Sequence, residues 1–186
     1  MVKQLDESTD VAAEDAVLAA AVREAIASVH DPEIPPLSIV ELGIVQDVRI
    51  TADALAVDLL PTFAGCPALD AIREDVTAAL RPVAGDRRVE VRFLYSPPWT
   101  SDRITPEGRE ALRAFGLTPP TGHGPAPGGP VPIRLGRRVP VRVTCPFCGS
   151  DETVLESAFG PTLCRSVHFC SACRNPFEAF KPKRTG

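Results

Sequence analysis

The sequence predicts an α+β protein in which a compact two-layer domain precedes a small β-rich, metal-binding ribbon. Between Ala12 and Thr118, hydrophobic spacing gives the order helix, strand, strand, helix, strand, helix, which suits two packed layers. The C-terminal part instead contains two Cys-x-x-Cys pairs. The boundaries predicted from composition are a disordered start (1–11), the α/β domain (12–118), a linker rich in proline and glycine (119–137) and the ribbon (138–182).

Three helices are predicted in the first domain. Alanine-rich Ala12–Val29 carries apolar residues at helical spacing, and Pro32 ends it because a residue before proline avoids the helical region. Residues 31–36 are therefore predicted as an irregular loop. Asp70–Leu80 repeats the helical spacing. The third helix starts at Thr105-Pro106, a capping oxygen followed by proline, and Gly116 ends it.

Alternating or continuous apolar runs predict the strands. Ile44–Thr51 and Ala54–Leu60 form a hairpin, and Arg88–Tyr95 alternates as a half-buried strand does. The ribbon strands are predicted at Arg138–Thr144, Thr153–Ala158, Ser166–Phe169 and Pro176–Phe180.

The cysteines of the ribbon predict a structural metal site. Cys145 and Cys148 form one pair and Cys170 and Cys173 the other. A two-residue gap lets the backbone fold into a knuckle, so that two knuckles give a tetrahedron of thiolates. Because protein ligands fill all four positions, the site is structural, and zinc is favoured over iron, which four thiolates also suit.

Two of the six cysteines remain. Cys66 precedes Pro67, which fits a first helical position, so Cys66 is expected at a helix cap where the dipole favours its thiolate. It is either a nucleophile or soft-metal ligand, or a cysteine that packs the junction.

Cys164 is either an auxiliary thiol near the ribbon metal or a residue of the ribbon core, which we favour. Asp31 and Glu33 form a nearby acidic pair that could act on a metal or a partner, or be solvated.

Charge and hydropathy exclude several classes of protein. The formal charge is −4, divided into +5 over residues 131–186 and −9 over the rest. This balance and the sparse aromatic residues argue against nucleic-acid binding. No apolar run approaches the ~18 residues that cross a bilayer, and the acidic start is unlike a secretory signal, so we expect a cytoplasmic protein. No phosphate loop, dinucleotide fingerprint or triad indicates independent catalysis.

Several motifs together resemble a known family. Asp31-Pro-Glu-Ile-Pro-Pro, Glu41-Leu-Gly43-Ile, Thr62-Phe-Ala-Gly-Cys66-Pro67 and Ser96-Pro-Pro-Trp99 are similar to those of iron–sulfur cluster assembly and targeting factors. With the appended ribbon, the order of motifs resembles the D proteins of bacterial phenylacetate degradation, which are also named as components of phenylacetyl-CoA 1,2-epoxidase. Ser96 departs from this pattern, because many relatives carry aspartate there.

The resemblance implies an accessory protein that matures the metal centres of a multicomponent di-iron epoxidase. It places a transient iron–sulfur cluster or iron at Cys66, with Asp31 and Glu33 as the loop acids of the family. It also implies the epoxidase subunits as partners. Because one chain offers few thiolates, a homodimer or a small thiol could complete a cluster. The alternative is a structural or regulatory subunit of the complex. Trp99 either anchors its loop on the core, which we favour, or makes a direct functional contact.

Overall fold

A computed structural model describes residues 7–120 and 143–181. The helices are α1 (Glu7–Ala27), α2 (Leu69–Ala84) and α3 (Pro106–Ala114). The strands are β1 (His30–Asp31), β2 (Ile34–Ser38), β3 (Val45–Ile50), β4 (Ala54–Leu59), β5 (Arg88–Phe93), β6 (Leu117–Thr118), β7 (Thr153–Ser157), β8 (Arg165–Cys170) and β9 (Pro176–Phe180). The predicted α+β class is confirmed. No helix within these ranges combines the length and hydrophobicity needed to cross a membrane.

A three-stranded sheet forms the first layer, with β4 between antiparallel β3 and parallel β5. Leu55, Val57 and Leu59 of β4 are fully buried. Helix α2 covers the sheet with a buried stripe of Ile72, Val76, Leu80 and Ala84, each four residues apart. Residues at that spacing lie on one helix face, so the predicted two-layer packing follows from the pattern.

The first helix begins earlier than predicted. It starts at Glu7, so residues 7–11, which we expected to be disordered, are helical, whereas residues 1–6 lie outside the described residues. The sequence from Glu7 to Ala16 is rich in alanine and glutamate, which are strong helix formers.

The irregular loop predicted for residues 31–36 is wrong. Strands β1 and β2 pair in a short antiparallel hairpin, with Asp31 opposite Ile34 and His30 opposite Ser38. Pro35 and Pro36 lie between the paired positions, where their missing N–H groups cost no ladder hydrogen bond. Ile34 and Leu37 are buried beneath the hairpin.

Helix α3 has the predicted start, because the Thr105 side chain accepts a hydrogen bond from the Gly108 N–H. The chain leaves it through Gly116, at φ +83°, a conformation that favours glycine. Strand β6 follows at once, and the sequence did not predict it.

Strand β6 joins the sheet of the ribbon. That sheet has the order β6-β9-β8-β7, with β6 parallel to β9 and the other pairs antiparallel. Of the predicted strand Arg138–Thr144, residues 138–142 lie outside the described residues, and Val143 and Thr144 are not in a strand. Residues 121–137 of the predicted linker also lie outside the described residues. The ribbon therefore packs directly on the first domain through a shared sheet.

Candidate functional site

The four ribbon cysteines converge on one point. Their sulfur atoms all lie within 4.8 Å of one another. The Cys145 and Cys173 sulfurs are 3.7 Å apart, and those of Cys148 and Cys170 are 3.6 Å apart. Among the residues that the structure describes, this is the one group of three or more metal-binding side chains brought together in this way.

Two equivalent turns place these sulfurs. The Gly149 N–H donates to the Cys145 carbonyl, and the Arg174 N–H donates to the Cys170 carbonyl. Gly149 and Arg174 both have positive φ, of 73° and 60°. Each first cysteine also donates its N–H to the carbonyl five residues later, at 2.9 Å for Cys145 and 3.0 Å for Cys170. The spacing thus folds into two knuckles related by similar hydrogen bonds.

This geometry fits a tetrahedral ion. Metal–sulfur bonds of about 2.3 Å place the sulfurs of a tetrahedral site about 3.8 Å apart, close to the two distances found. The Asn175 side-chain amide donates to the Cys173 sulfur at 3.6 Å, as outer partners of thiolate ligands do. The ribbon has a very small core of its own, chiefly Cys145, Cys170 and Phe177. A metal ion held by the four thiolates would supply the folding energy that so small a core lacks.

Cys66 lies in the loop between β4 and α2, but not at the helix cap predicted for it. Helix α2 begins at Leu69 with Ala68 at its cap. Burial raises the pKa of the Cys66 thiol, and a hydrogen bond from the Ala68 N–H lowers it by less. The nearby Asp31, Cys164 and Glu33 raise this pKa further. The prediction of a thiolate favoured by the helix dipole is therefore wrong, because partial burial beside acids outweighs the backbone N–H.

Cys66 faces a small cleft between the first domain and the ribbon. Its interior has a volume of about 10 Å³, room for about one water molecule. The first domain lines it with Asp31 and Glu33 from the hairpin and with the Cys66 loop; the ribbon contributes Cys164. The remaining lining residues are Ile34, Thr62, Phe63, Pro67, Thr162, Leu163 and Phe180.

Cys164 is not in the ribbon core, and that expectation is wrong. It is half-buried and packs with Cys66 against the large core of the first domain. Its sulfur lies 3.1 Å from the Thr162 hydroxyl, and its carbonyl accepts the Lys181 N–H at 2.8 Å. Because the ribbon packs on the first domain, the β7–β8 loop, which contains Cys164, lies at the cleft.

The hairpin acids occupy different environments. Asp31 is 7% exposed, and one of its oxygens accepts the Glu33 N–H at 2.8 Å. Burial raises the pKa of the Asp31 carboxyl, partly offset by backbone hydrogen bonds from Glu33 and Ile34. Glu33 is half-buried, so it does not meet the expectation of a fully solvated loop acid. Both acids reach the cleft.

Sequence reasoning missed the residues that seat the ribbon. Arg165, 7% exposed, pairs with Glu178 at 3.0 Å and donates to the Glu33 carbonyl. Phe180 is buried in the first-domain core, with its ring centroid 5.9 Å from that of Trp99. Trp99 also donates its indole N–H to the Leu42 carbonyl at 3.0 Å, in agreement with an anchoring role. An arginine after a cysteine carries no sequence signal of such a contact.

Comparisons with known proteins agree with this two-part architecture. Residues 19–93 match a family described as iron–sulfur cluster assembly protein, and residues 131–181 match the PaaD zinc beta ribbon domain. A protein of Escherichia coli (strain K12), provisionally named as the D component of 1,2-phenylacetyl-CoA epoxidase, is 38% identical over 84% of this chain and 88% of its own length.

Two shorter proteins match the first domain. The Fe-S protein maturation auxiliary factor SufT of Staphylococcus aureus (strain USA300) is 34% identical over 45% of this chain and 96% of its own. A domain of unknown function, DUF59, from Bacillus anthracis is 28% identical, with a TM-score of 0.48, over 52% of this chain and 92% of its own.

Proposed function

Since this chain belongs to the family of D components of phenylacetyl-CoA epoxidase, we propose that it supplies iron, or an iron–sulfur cluster, to the phenylacetyl-CoA epoxidase complex. An accessory role in iron–sulfur protein maturation is supported by the family of the first domain and by its maturation-factor relatives. The epoxidase is the client suggested by the name of the E. coli relative.

The observation that carries the proposal is the half-buried Cys66 thiol in a cleft with Asp31 and Glu33. A thiolate and carboxylates together suit iron(II), which accepts both soft and hard ligands. The volume is too small for an organic substrate. In this proposal, iron(II) is cargo and the protein is not catalytic by itself.

Transient binding follows from the protonation of the site. Because burial raises the pKa of Cys66, the empty site holds a proton on sulfur at neutral pH, and the incoming ion releases that proton to solvent. When the client removes the ion, the thiol regains a proton. A site that favours its protonated form binds metal less tightly than a preformed thiolate would.

The ribbon has a separate, structural role in this proposal. Its four thiolates fill a tetrahedron, which leaves no open position for cargo or catalysis. We assign zinc to it because the matching family is a zinc ribbon. Metal analysis of the purified protein tests this assignment, and iron at one equivalent would contradict it.

A second candidate is a structural subunit of the same complex that carries no cargo. Exposed apolar side chains on the ribbon favour this function. Val154 and Leu155 lie on the edge strand β7 and are 53% and 58% exposed, and Phe147 is 58% exposed. Apolar side chains on an open sheet edge are suited to contact with another protein.

Co-production of the epoxidase subunits with wild-type protein or with Cys66→Ser distinguishes the two functions. The variant should fold, keep its ribbon metal and still bind the complex. If Cys66 carries cargo, the client is purified metal-poor, with activity at least about tenfold lower. A fully loaded and active client would instead assign the structural function. Gly149 and the four ribbon cysteines are left unchanged, so the ribbon serves as an internal control.

A further inference from the structure

We propose that the client docks at the mouth of the cleft, through a segment in which bulky apolar side chains lie beside a carboxylate. The docking surface, called the mouth patch, consists of Phe63 from the first domain and of Phe159, Leu163 and Lys181 from the ribbon. This inference rests on the proposed function and extends it, because it states how the client is held beside the cargo thiol.

The apolar side chains of the mouth patch are open to solvent. Phe159 is 76% exposed, more than any other large hydrophobic side chain that the structure describes. Leu163 is 46% exposed and Phe63 is 42% exposed. Burial of such side chains against a partner is favourable, because it removes apolar surface from water. Exposed apolar groups that lie together are therefore typical of protein interaction sites.

Phe63 and Leu163 border the same space, although they come from different parts of the chain. A Cβ built on Gly65 would lie 3.7 Å from the Phe63 ring and 4.0 Å from a methyl group of Leu163. Both side chains also line the cleft that contains Cys66. The mouth patch thus spans the first domain and the ribbon and adjoins the thiol that the proposed function assigns to the cargo.

The backbone on both sides of the Phe159 ring is held by hydrogen bonds. The Ser157 hydroxyl accepts the Phe159 N–H at 3.0 Å and donates to the Phe159 carbonyl at 2.8 Å. The next N–H, from Gly160, donates to the Arg165 carbonyl at 3.0 Å. A side chain on a backbone that is already ordered loses less conformational entropy when a partner binds.

Lys181 gives the mouth patch a positive charge. Its ammonium lies 5.4 Å from the centroid of the Phe159 ring and donates to the Leu163 carbonyl at 2.9 Å. Because an ammonium has three N–H donors, others are left for a carboxylate of the partner. Two more basic residues, Lys183 and Arg184, follow within three positions in the sequence. Charge complementarity therefore favours an acidic partner segment.

The acids of the cleft are placed so that they present little negative charge to the partner. Asp31 is 7% exposed. Glu33 is half-buried, and the Arg165 guanidinium donates to its main-chain carbonyl, which brings a positive charge to the same hairpin. The partner that fits the mouth patch is thus apolar and acidic.

Binding of the purified epoxidase complex, prepared without this protein, to the immobilised full-length protein tests the proposal. We compare wild type with Phe159→Ser, Leu163→Ser and Lys181→Gln, and Lys181→Arg tests rescue by a conserved charge. Leu155→Ser is the matched control, because Leu155 is 58% exposed on β7, the other apolar surface of the ribbon considered above. Circular dichroism and metal analysis check the fold and the ribbon metal of each variant.

We expect Phe159→Ser and Leu163→Ser each to raise the Kd for the complex at least about fivefold. Lys181→Gln should raise it about threefold and make the Kd less dependent on salt, because it removes one ionic contact. Lys181→Arg and Leu155→Ser should match wild type.

Three results would overturn the inference. The first is weaker binding by Leu155→Ser while the patch variants match wild type, which places the client on β7. The second is the absence of binding to the wild-type protein. The third is a wild-type dimer in sedimentation that Phe159→Ser converts to monomer, which assigns the mouth patch to a second copy of the chain.

An unchanged salt dependence in Lys181→Gln would overturn the acidic nature of the partner segment. The proposed function is judged separately, by the metal content of the client co-produced with Cys66→Ser. That variant keeps the mouth patch and should bind the complex as wild type does.

Discussion

Arg165 of the ribbon donates a hydrogen bond from its Nη2 to the main-chain carbonyl of Glu33 in the hairpin of the first domain. The same guanidinium pairs through Nη1 with Glu178 on β9, at 3.0 Å. Because Arg165 is buried and adjoins Cys164, this one side chain connects the ribbon sheet, the acidic hairpin and the cleft. The relationship explains how a thiol from the ribbon comes to line the same cleft as Cys66.

Replacement of Arg165 by methionine should therefore loosen the ribbon from the first domain. The change removes a charged donor from the Glu33 carbonyl and leaves Glu178 without its partner. We expect the free energy of unfolding to fall by about 2 kcal/mol, the scale of a hydrogen bond to a charged group. Urea denaturation measures this loss, and faster alkylation of Cys66 should accompany it.

Arg88→Met is the matched control for that change. The Arg88 side chain is 75% exposed and lies 3.7 Å from Glu90, a weak surface pair. Surface substitutions of this kind alter stability by less than about 0.5 kcal/mol. Equal effects of the two variants would show that Arg165 does not fasten the ribbon.

Loss of one ribbon cysteine should remove the structural metal. Cys170 is fully buried among the four sulfurs, and Cys170→Ser leaves three thiolates for a site that needs four. We expect less than about one tenth of the wild-type metal content, with early loss of the ribbon on heating. Elemental analysis measures the metal, and proteolysis followed by mass spectrometry locates the unfolded segment.

Cys164→Ser is the control, because Cys164 lies outside the ribbon cluster. It should keep the full ribbon metal. A wild-type metal content in Cys170→Ser would refute the four-thiolate site.

The reactivity of Cys66 should depend on the charge of Asp31. Alkylating reagents attack the thiolate, and both burial and the Asp31 carboxylate raise the pKa of the Cys66 thiol. Cys66 should therefore react slowly at neutral pH, and its rate should continue to rise as the pH passes the ordinary thiol pKa. In Asp31→Asn the negative charge is gone, the pKa falls, and the rate at pH ~7.5 rises by about threefold. Iodoacetamide labelling with peptide mapping measures the rate at Cys66 alone.

Asp86→Asn is the matched control, because it removes the same charge from an exposed turn. Asp86 is not among the groups that shift the pKa of Cys66. It should leave the labelling rate unchanged. An identical pH profile in Asp31→Asn and wild type would contradict the placement of this acid beside the thiol.

Gly43 should not tolerate a side chain. It has φ +69°, and a Cβ there would lie 2.1 Å from the Arg103 carbonyl oxygen. Gly43→Ala then adds a backbone clash to the strain of positive φ, at a cost of about 3 kcal/mol. Gly149→Ala is similar in φ, at +73°, but its Cβ would meet nothing within 4 Å, and the equivalent position of the second knuckle is occupied by Arg174 at φ +60°. It should cost only about 1 kcal/mol, and thermal unfolding compares the two.

Local patterns were enough to predict most of the first domain. The stripe of Ile72, Val76 and Leu80 repeats every fourth residue, so it defines a buried helix face before any partner is known. Thr105 and Pro106 mark a helix start through hydrogen bonding and fixed φ, both local effects. The predicted β3–β4 hairpin is confirmed to within one residue at all four ends, and a two-residue turn sets its register.

The predictions of local structure failed where tertiary contacts overrode local sequence preferences. The prolines after Asp31 indicated a loop, yet burial of Ile34 and Leu37 holds that segment as a hairpin. The pattern Cys66-Pro67 indicated a helix cap, but α2 starts at Leu69.

The sequence by itself determined the α+β class and the four-cysteine cluster, because spacing within a helix, a strand or a knuckle is a short-range property. Only the tertiary structure decided that β6 joins the ribbon sheet and that Phe180 enters the first-domain core. It also decided that Cys164 lines the same cleft as Cys66. These contacts join residues that are far apart in the chain. They depend on which surfaces pack together when the whole chain folds, and a local sequence pattern does not contain that information.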